Sequence, residues 1–140
     1  MSQEKVDLEI KLSGTWWNLP PSARVWLDDQ ILLDKEIRVP ETIKWTGTLN
    51  EGPHFIKVDL HNKDYNRETI LKDEKIIKDQ LLNIDEILID DIPMGFLLHQ
   101  NSKYRTEDGR DVQRCINLGW NGQWSFEFNV PIYIWLLENF

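Results

Sequence analysis

Oxygen-bearing side chains are concentrated around one long polar segment, residues 61–79. Asn62, Asp64 and Asn66 alternate at its start, and Asp79 lies at its end. Calcium prefers several oxygen ligands from carboxylates, amides and main-chain carbonyls, and an N-x-D-x-N spacing on a turning backbone can aim alternate side chains at one centre. The same residue types also satisfy their own backbone in Asx-turns. The pattern leaves a calcium site and a set of local turns as alternatives.

Catalytic motifs are missing from the sequence. It contains no GxSxG elbow, no phosphate-binding glycine loop and no HExxH motif, and its histidines (His54, His61 and His99) lack metal-ligand spacing. Cys115 is the only cysteine, so an intramolecular disulfide and a cysteine metal cluster are both excluded. No set of acid, base and nucleophile can be assembled, and we expect a binding or structural protein that is not an enzyme.

Several of the seven tryptophans lie near predicted turns, where an exposed indole could stack on a sugar ring. Trp16, Trp17 and Trp120 are the candidates for such a carbohydrate platform. The alternative is that these side chains anchor the core or a protein interface, as most tryptophans do.

The segments that must position these residues have the pattern of β-strands. Apolar residues alternate with polar ones at Val6 to Leu12, at Ile56 to Leu60 and at Trp124 to Phe128, which indicates strands with one buried face. Val25 to Val39 is interrupted by Asp28-Asp29 and predicts a hairpin. Residues 81–89 are apolar on both faces, as in a central strand.

Two polar stretches, residues 61–79 and 99–115, are predicted to be long loops, and no segment shows sustained helical periodicity. Short strands separated by turns predict an all-β fold, an antiparallel β-sandwich of the jelly-roll type, in a single domain of residues 1–140.

The last ten residues carry more apolar side chains than one strand face can hide. Alternation assigns Ile132, Ile134 and Leu136 to one side, and Tyr133, Trp135 and Leu137 to the other. If the first set packs inside, we expect Tyr133, Trp135 and Phe140 to form a protein contact, with cover by a loop of the same chain as the alternative.

Charge and hydropathy narrow the classes of partner. The formal net charge is -8, which argues against nucleic acid because phosphate backbones require clustered Lys and Arg. No apolar stretch approaches the ~18 residues that a membrane span needs, and residues 1–5 lack the pattern of a signal peptide. We therefore expect a protein made in the cytoplasm.

Four segments resemble calcium-dependent xylan-binding carbohydrate-binding modules. They are Arg24 to Gln30, Glu51 to Val58, Leu60 to Tyr65 and Asp79 to Ile87, and their order is similar to the order of elements in that family. The resemblance implies a β-sandwich that binds polysaccharide, and a calcium site to which Asn62, Asp64 and Asp79 contribute.

Other segments resemble small proteins of marine tailed phages of the cyanophage type. They are Leu12 to Trp17, Asn117 to Gly122 and Tyr133 to Asn139. This resemblance implies a virion component that is made in the host cytoplasm. The sequence thus predicts a tail, fibre-adaptor or capsid-decorating protein that binds other virion subunits, a second copy of itself or host-surface glycan. The alternative is a calcium-dependent carbohydrate-binding protein.

Overall fold

The computed structural model describes residues 2–140, which form strands joined by short connections and three short helices. The elements in chain order are β1 (Gln3–Thr15), β2 (Ser22–Leu27), β3 (Gln30–Glu36), β4 (Glu41–Asn50), β5 (Gly52–Leu60), α1 (Tyr65–Glu68), β6 (Ile70–Lys72), β7 (Lys75–Lys78), β8 (Leu81–Ile89), β9 (Ile92–Pro93), α2 (Leu97–Gln100), β10 (Ser102–Thr106), β11 (Asp111–Val112), β12 (Asn117–Leu118), β13 (Gly122–Val130) and α3 (Ile132–Asn139).

All strands except β6 and β7 form two antiparallel sheets around one hydrophobic core. The first sheet has the order β12-β8-β1-β4 with β9 added to β8, and the second has the order β11-β10-β13-β5-β2-β3. The period-2 apolar residues of β1, β5 and β13 are buried and supply much of this core. The predicted all-β sandwich is therefore confirmed.

The first polar stretch, residues 61–79, is not the irregular loop that its composition suggested. It holds α1 and the hairpin of β6 and β7, which pair only with each other. Asp73 and Glu74 turn this hairpin with positive φ angles of 53° and 65°. Such turns usually carry glycine or asparagine, so the acidic pair gave no hairpin signal in the sequence.

The second polar stretch, residues 99–115, contains β10 and β11. The buried side of β10 consists of Ser102, Tyr104 and Thr106. These residues alternate with exposed ones, as in a strand with one buried face. Because Ser102 and Thr106 are small and polar, the stretch lacks the apolar alternation that predicts a strand, and its composition suggested a loop.

The C-terminal segment is the helix α3 and not a strand. Its buried residues are Ile132, Trp135 and Leu136, which have the i, i+3, i+4 spacing of one helix face. Trp135 packs edge-on against Phe126 and Phe128 inside the chain, so the expectation that Trp135 is free for a protein contact is wrong. Tyr133 and Phe140 are exposed.

Among residues 2–140, no helix is long and apolar enough to cross a membrane.

Candidate functional site

Several strand ends meet at one edge of the sandwich and bring together three segments that are distant in sequence. Thr106 at the end of β10 and Leu60 at the end of β5 both pair with Gly122 at the start of β13. The segments that continue from this edge are residues 61–79, the turn at 107–110 and the connection at 119–121. A site at this edge is thus built from loops on a rigid scaffold.

Two open cavities lie at this edge, and Tyr65 and Trp120 line both of them. We call the pair of cavities the aromatic cleft. The first, of about 510 Å³, is also lined by Glu107, Asp108 and Arg110. The second, of about 590 Å³, is lined further by Lys63, Asn66, Thr69, Leu71, Ile76, Asp79, Leu81, Asn117 and Gly119. Both volumes lie in the range of small-molecule sites, and the linings combine apolar surface with polar groups.

The backbone of Trp120 is held by a buried tyrosine. The Tyr104 hydroxyl accepts a hydrogen bond from the Trp120 N–H at 3.0 Å and donates one to the Trp120 carbonyl oxygen. Burial raises the pKa of Tyr104, which keeps the hydroxyl protonated and able to donate. The indole therefore projects from a backbone that is fixed before any ligand arrives.

Asn121, the residue after Trp120, connects the two aromatic residues of the cleft, Tyr65 and Trp120. The Asn121 N–H donates to the Tyr65 hydroxyl at 2.6 Å, and the Asn121 side chain exchanges two hydrogen bonds of 2.9 Å with the backbone of Lys63. A side chain on Gly122 would clash with the carbonyl oxygen of Arg105, so only glycine permits this close approach. Tyr65 and Trp120 are consequently preorganised relative to each other.

Charged groups surround the indole on the side of the first cavity. The Arg110 guanidinium lies 4.6 Å from the centroid of the Trp120 ring, and its Nε donates to both carboxylate oxygens of Asp108 at 2.9 and 3.1 Å. Hydrogen bonds from Thr106 and Arg110 lower the pKa of Asp108, so its carboxylate is charged at neutral pH. The arginine charge is thus already engaged by an acid of the chain.

A buried lysine, Lys63, is among the residues that line the second cavity. Only 2% of the Lys63 side chain is exposed, and its Nζ lies 2.6 Å from Asp79 Oδ1 and 2.6 Å from the Gly119 carbonyl oxygen. The same Asp79 oxygen accepts hydrogen bonds of 2.8 Å from the Thr69 hydroxyl and from the Gln80 N–H. The lysine connects residue 79, residue 119 and the start of the 61–79 segment.

The side chains predicted to bind calcium do not converge on one open position. Asn62 accepts from the Ser22 N–H at 2.8 Å and donates to the Pro20 carbonyl at 3.1 Å, outside the aromatic cleft. Asp64 caps α1 by accepting from the Asn66 N–H at 3.1 Å. The Asp64 bond is the kind of local backbone interaction that the sequence left as the alternative to a metal site, whereas Asn62 binds backbone groups 42 and 40 residues away, at Pro20 and Ser22.

Asp79 does line the cleft, but its Oδ1 already accepts hydrogen bonds from the Lys63 ammonium, the Thr69 hydroxyl and the Gln80 N–H. Within residues 2–140, no group of three or more His, Cys, Asp or Glu side chains is arranged to hold a metal ion. A calcium ion beside Asp79 would have to approach the Lys63 ammonium at close range, where like charges repel strongly. The residues present therefore do not fit a calcium ion in this arrangement.

The three candidate tryptophans are comparably exposed, at 37% for Trp16, 42% for Trp17 and 37% for Trp120. Only Trp120 lines the aromatic cleft. Trp17 lies against the 61–79 segment instead, where its Nε1 donates to the Glu68 carbonyl at 3.0 Å and the Lys78 ammonium lies 4.8 Å from its ring centroid.

Sequence reasoning did not select Tyr65, Lys63 or Arg110 as site residues. Tyr65 and Lys63 stand within the segment Leu60 to Tyr65 that carries the resemblance to carbohydrate-binding modules, and that position was the available signal. No signal in the sequence pointed to Arg110, because its contact with the Trp120 ring is formed only when the chain folds.

Comparison with known proteins gives a fold relationship. No protein-family model matches the sequence, and no curated protein matches it. One similar solved structure is vCBM60 in complex with galactobiose, with a TM-score of 0.53 and 12% identity over 86% of this chain and 96% of that chain. Another is a selenomethionine form of vCBM60, with a TM-score of 0.51 and 13% identity over 86% of this chain and 89% of that one.

The second structure is described with a circular permutation that links two families of calcium-dependent carbohydrate-binding modules. At identities this low, the similarity establishes the fold and leaves the function to be argued from the site. The chain therefore has the fold of a carbohydrate-binding module, in agreement with that part of the sequence resemblance.

Proposed function

We propose that this chain is a non-catalytic carbohydrate-binding protein whose aromatic cleft takes a neutral glycan. The observation that carries the proposal is the pair Tyr65 and Trp120, two half-exposed aromatic side chains that line both cavities. The fold shared with vCBM60, whose bound sugar is galactobiose, supports the same conclusion.

The chemistry of the cleft suits a sugar. A sugar ring has apolar C–H faces and a rim of hydroxyl groups, so it is recognised by an aromatic surface with hydrogen-bonding groups around it. Trp120 and Tyr65 supply the surface, and Asn66, Thr69 and Asn117 supply polar groups in the second cavity. Because hydrogen bonds hold the aromatic walls in place, little conformational entropy is lost when a ligand binds.

The charges of the cleft favour a neutral ligand over an acidic one. Glu107, Asp108 and Asp79 contribute carboxylates, whereas the two cations, Arg110 and Lys63, are each engaged by one of these acids. The formal net charge of -8 adds repulsion at longer range. A polysaccharide of uronic acids would meet this negative surface without a free cation to bind it.

The test is affinity electrophoresis through gels that contain one polysaccharide each. We expect a neutral galactan or xylan to retard the protein and to change its tryptophan emission, while polygalacturonate and alginate do neither at about 0.15 M salt. Serum albumin run in the same gels controls for sieving. Retardation by the acidic polymers alone, or by none of the polymers, would contradict the proposal.

We propose further that the protein is a component of a phage particle, as its resemblance to small phage proteins implies. A glycan-binding sandwich on a tail, a fibre or a capsid would attach the particle to host-surface carbohydrate, and the exposed Tyr133 and Phe140 remain the predicted contact with virion subunits or a second copy. We expect mass spectrometry of purified particles to detect the chain at structural stoichiometry. Its recovery only from the lysate of infected cells would contradict virion membership.

A further inference from the structure

The ammonium group of Lys63 contacts Asp79, one of the three side chains that the sequence predicted to bind calcium. It contacts the carboxylate of Asp79 and the carbonyl of Gly119, both at 2.6 Å, and lies 5.5 Å from the centroid of the Tyr65 ring. A carboxylate and a main-chain carbonyl are oxygen ligands of the type that calcium takes. A side chain of the protein thus satisfies oxygens that a bound cation could otherwise satisfy.

Removal of this cation would leave a carboxylate partly buried without its charged partner. Asp79 has a side-chain exposure of 17%, and the Lys63 side chain is almost fully buried. Breaking a buried ion pair from one side is strongly destabilising, because the remaining charge stays desolvated. The lysine is therefore needed by the residues around it, as a structural metal would be.

The position of Lys63 also links it to both walls of the cleft. Its ammonium fixes the Gly119 carbonyl immediately before Trp120, and its backbone bonds with Asn121 immediately after. Tyr65 follows Lys63 by two residues and is bonded to the Asn121 N–H. Any movement of Lys63 would thus be transmitted to Trp120 and Tyr65.

We propose that the Lys63 ammonium is the resident cation of the aromatic cleft, a positioning residue that holds the glycan-binding walls together without calcium. The inference rests on the proposed function, which supplies the glycan as the ligand. It predicts that this chain needs no calcium, unlike the calcium-dependent families named with the vCBM60 structure. It has two consequences, one for the effect of calcium and one for the effect of removing the lysine.

The first consequence is measured on the unaltered protein. We expect its melting temperature and its retardation by a neutral glycan to be the same in millimolar CaCl₂ and in chelator. A metal at about 100 times its Kd would stabilise the native state enough to raise the melting temperature by several degrees. Such a rise, or the loss of glycan binding in chelator, would overturn the proposal.

The second consequence is measured on Lys63→Ala. We expect the melting temperature to fall by about 10 °C and the glycan affinity by about tenfold or more. The matched control is Lys72→Ala, which removes the same charge from an exposed position on the same segment and should change neither value. Equal behaviour of the two variants would overturn the proposal.

Chemical rescue separates the role of the charge from loss of packing. Propylammonium replaces the atoms that Lys63→Ala removes, so it should restore part of the glycan affinity, whereas propanol of the same length should not. Equal effects of the two compounds would overturn the role of the ammonium.

The inference can still be tested if Lys63→Ala does not fold or if the unaltered protein binds no glycan. If Lys63→Ala does not fold, Lys63→Met combined with Asp79→Asn removes both charges and should fold, because no buried charge is left unpaired. If the unaltered protein binds no glycan, the proposed function fails, while the melting temperatures in calcium and of the two lysine variants still decide the inference.

Discussion

Replacement of Trp120 by alanine is expected to reduce glycan affinity by roughly 30-fold or more. Aromatic anchors at the centre of a binding surface commonly contribute about 2 kcal/mol or more, and each 1.4 kcal/mol is a factor of about ten in affinity. Trp120 lines both cavities of the cleft, so its removal deletes the surface on which a sugar would stack. Isothermal titration with the glycan that retards the protein most strongly measures the change.

The matched control is Trp16→Ala. Trp16 has the same exposure as Trp120, 37%, but does not line the aromatic cleft. Its removal should change the affinity by less than about twofold, which lies within the usual effect of a surface substitution. Equal losses for the two variants would show that indole exposure, and not the cleft, determines binding.

A companion variant, Tyr104→Phe, tests whether the cleft is preorganised. This change removes the hydroxyl that bonds to the N–H and the carbonyl of Trp120 and leaves the indole in place. We expect an intermediate loss of affinity, since the Trp120 backbone must then be ordered on binding. Full affinity in Tyr104→Phe would mean that the hydroxyl does not contribute to the position of Trp120.

The sandwich could be predicted because its central strands bury aliphatic and aromatic residues at every second position. Val6, Leu8, Ile10 and Leu12 on β1 are each at most 3% exposed, and the same alternation marks β5 and β13. Burial at period 2 is the direct consequence of a pleated strand that packs on one face. For these strands, the pattern in the sequence and the physical cause of the fold are the same.

The sequence pattern did not predict β10, the hairpin of β6 and β7, or the helix α3. The first two bury or turn on residue types that are uncommon in those positions. The inner face of β10 includes Ser102 and Thr106, and the hairpin of β6 and β7 turns on Asp73 and Glu74. In α3, a run of apolar residues is compatible with a strand or a helix, and only its packing against β13 selects the helix. Periodicity alone could not distinguish these cases.

The candidate site was only partly accessible from the sequence. Trp120 and Asp79 were selected and both line the cleft. Lys63 could not be assigned, because a lysine near acidic residues usually forms a solvated ion pair, and its burial depends on contacts with residues 79 and 119. The chemistry of Asp79 changes with that contact, from a candidate metal ligand to the partner of an ammonium group.

Among the single substitutions considered, replacement of Trp124 by alanine should lower the free energy of unfolding most. Trp124 is 0% exposed, its ring stacks on Phe126 at a centroid distance of 6.2 Å, and its Nε1 donates to the Cys115 carbonyl at 2.9 Å. Truncation of a buried tryptophan costs about 3–5 kcal/mol, which for a domain of this length lowers the melting temperature by roughly 10–15 °C. Thermal unfolding followed by circular dichroism measures the change.

Trp16→Ala again serves as the control, because it removes the same side chain from a partly exposed position and should lower the melting temperature by only a few degrees. Well below its own midpoint, Trp124→Ala should bind glycan within about threefold of the unaltered protein, since Trp124 lines neither cavity of the aromatic cleft. Trp120→Ala should show the reverse, with weak binding and a nearly unchanged melting temperature. If both variants lost stability and affinity together, the cleft and the core would form one cooperative unit, and Trp120 would have to be regarded as a core residue.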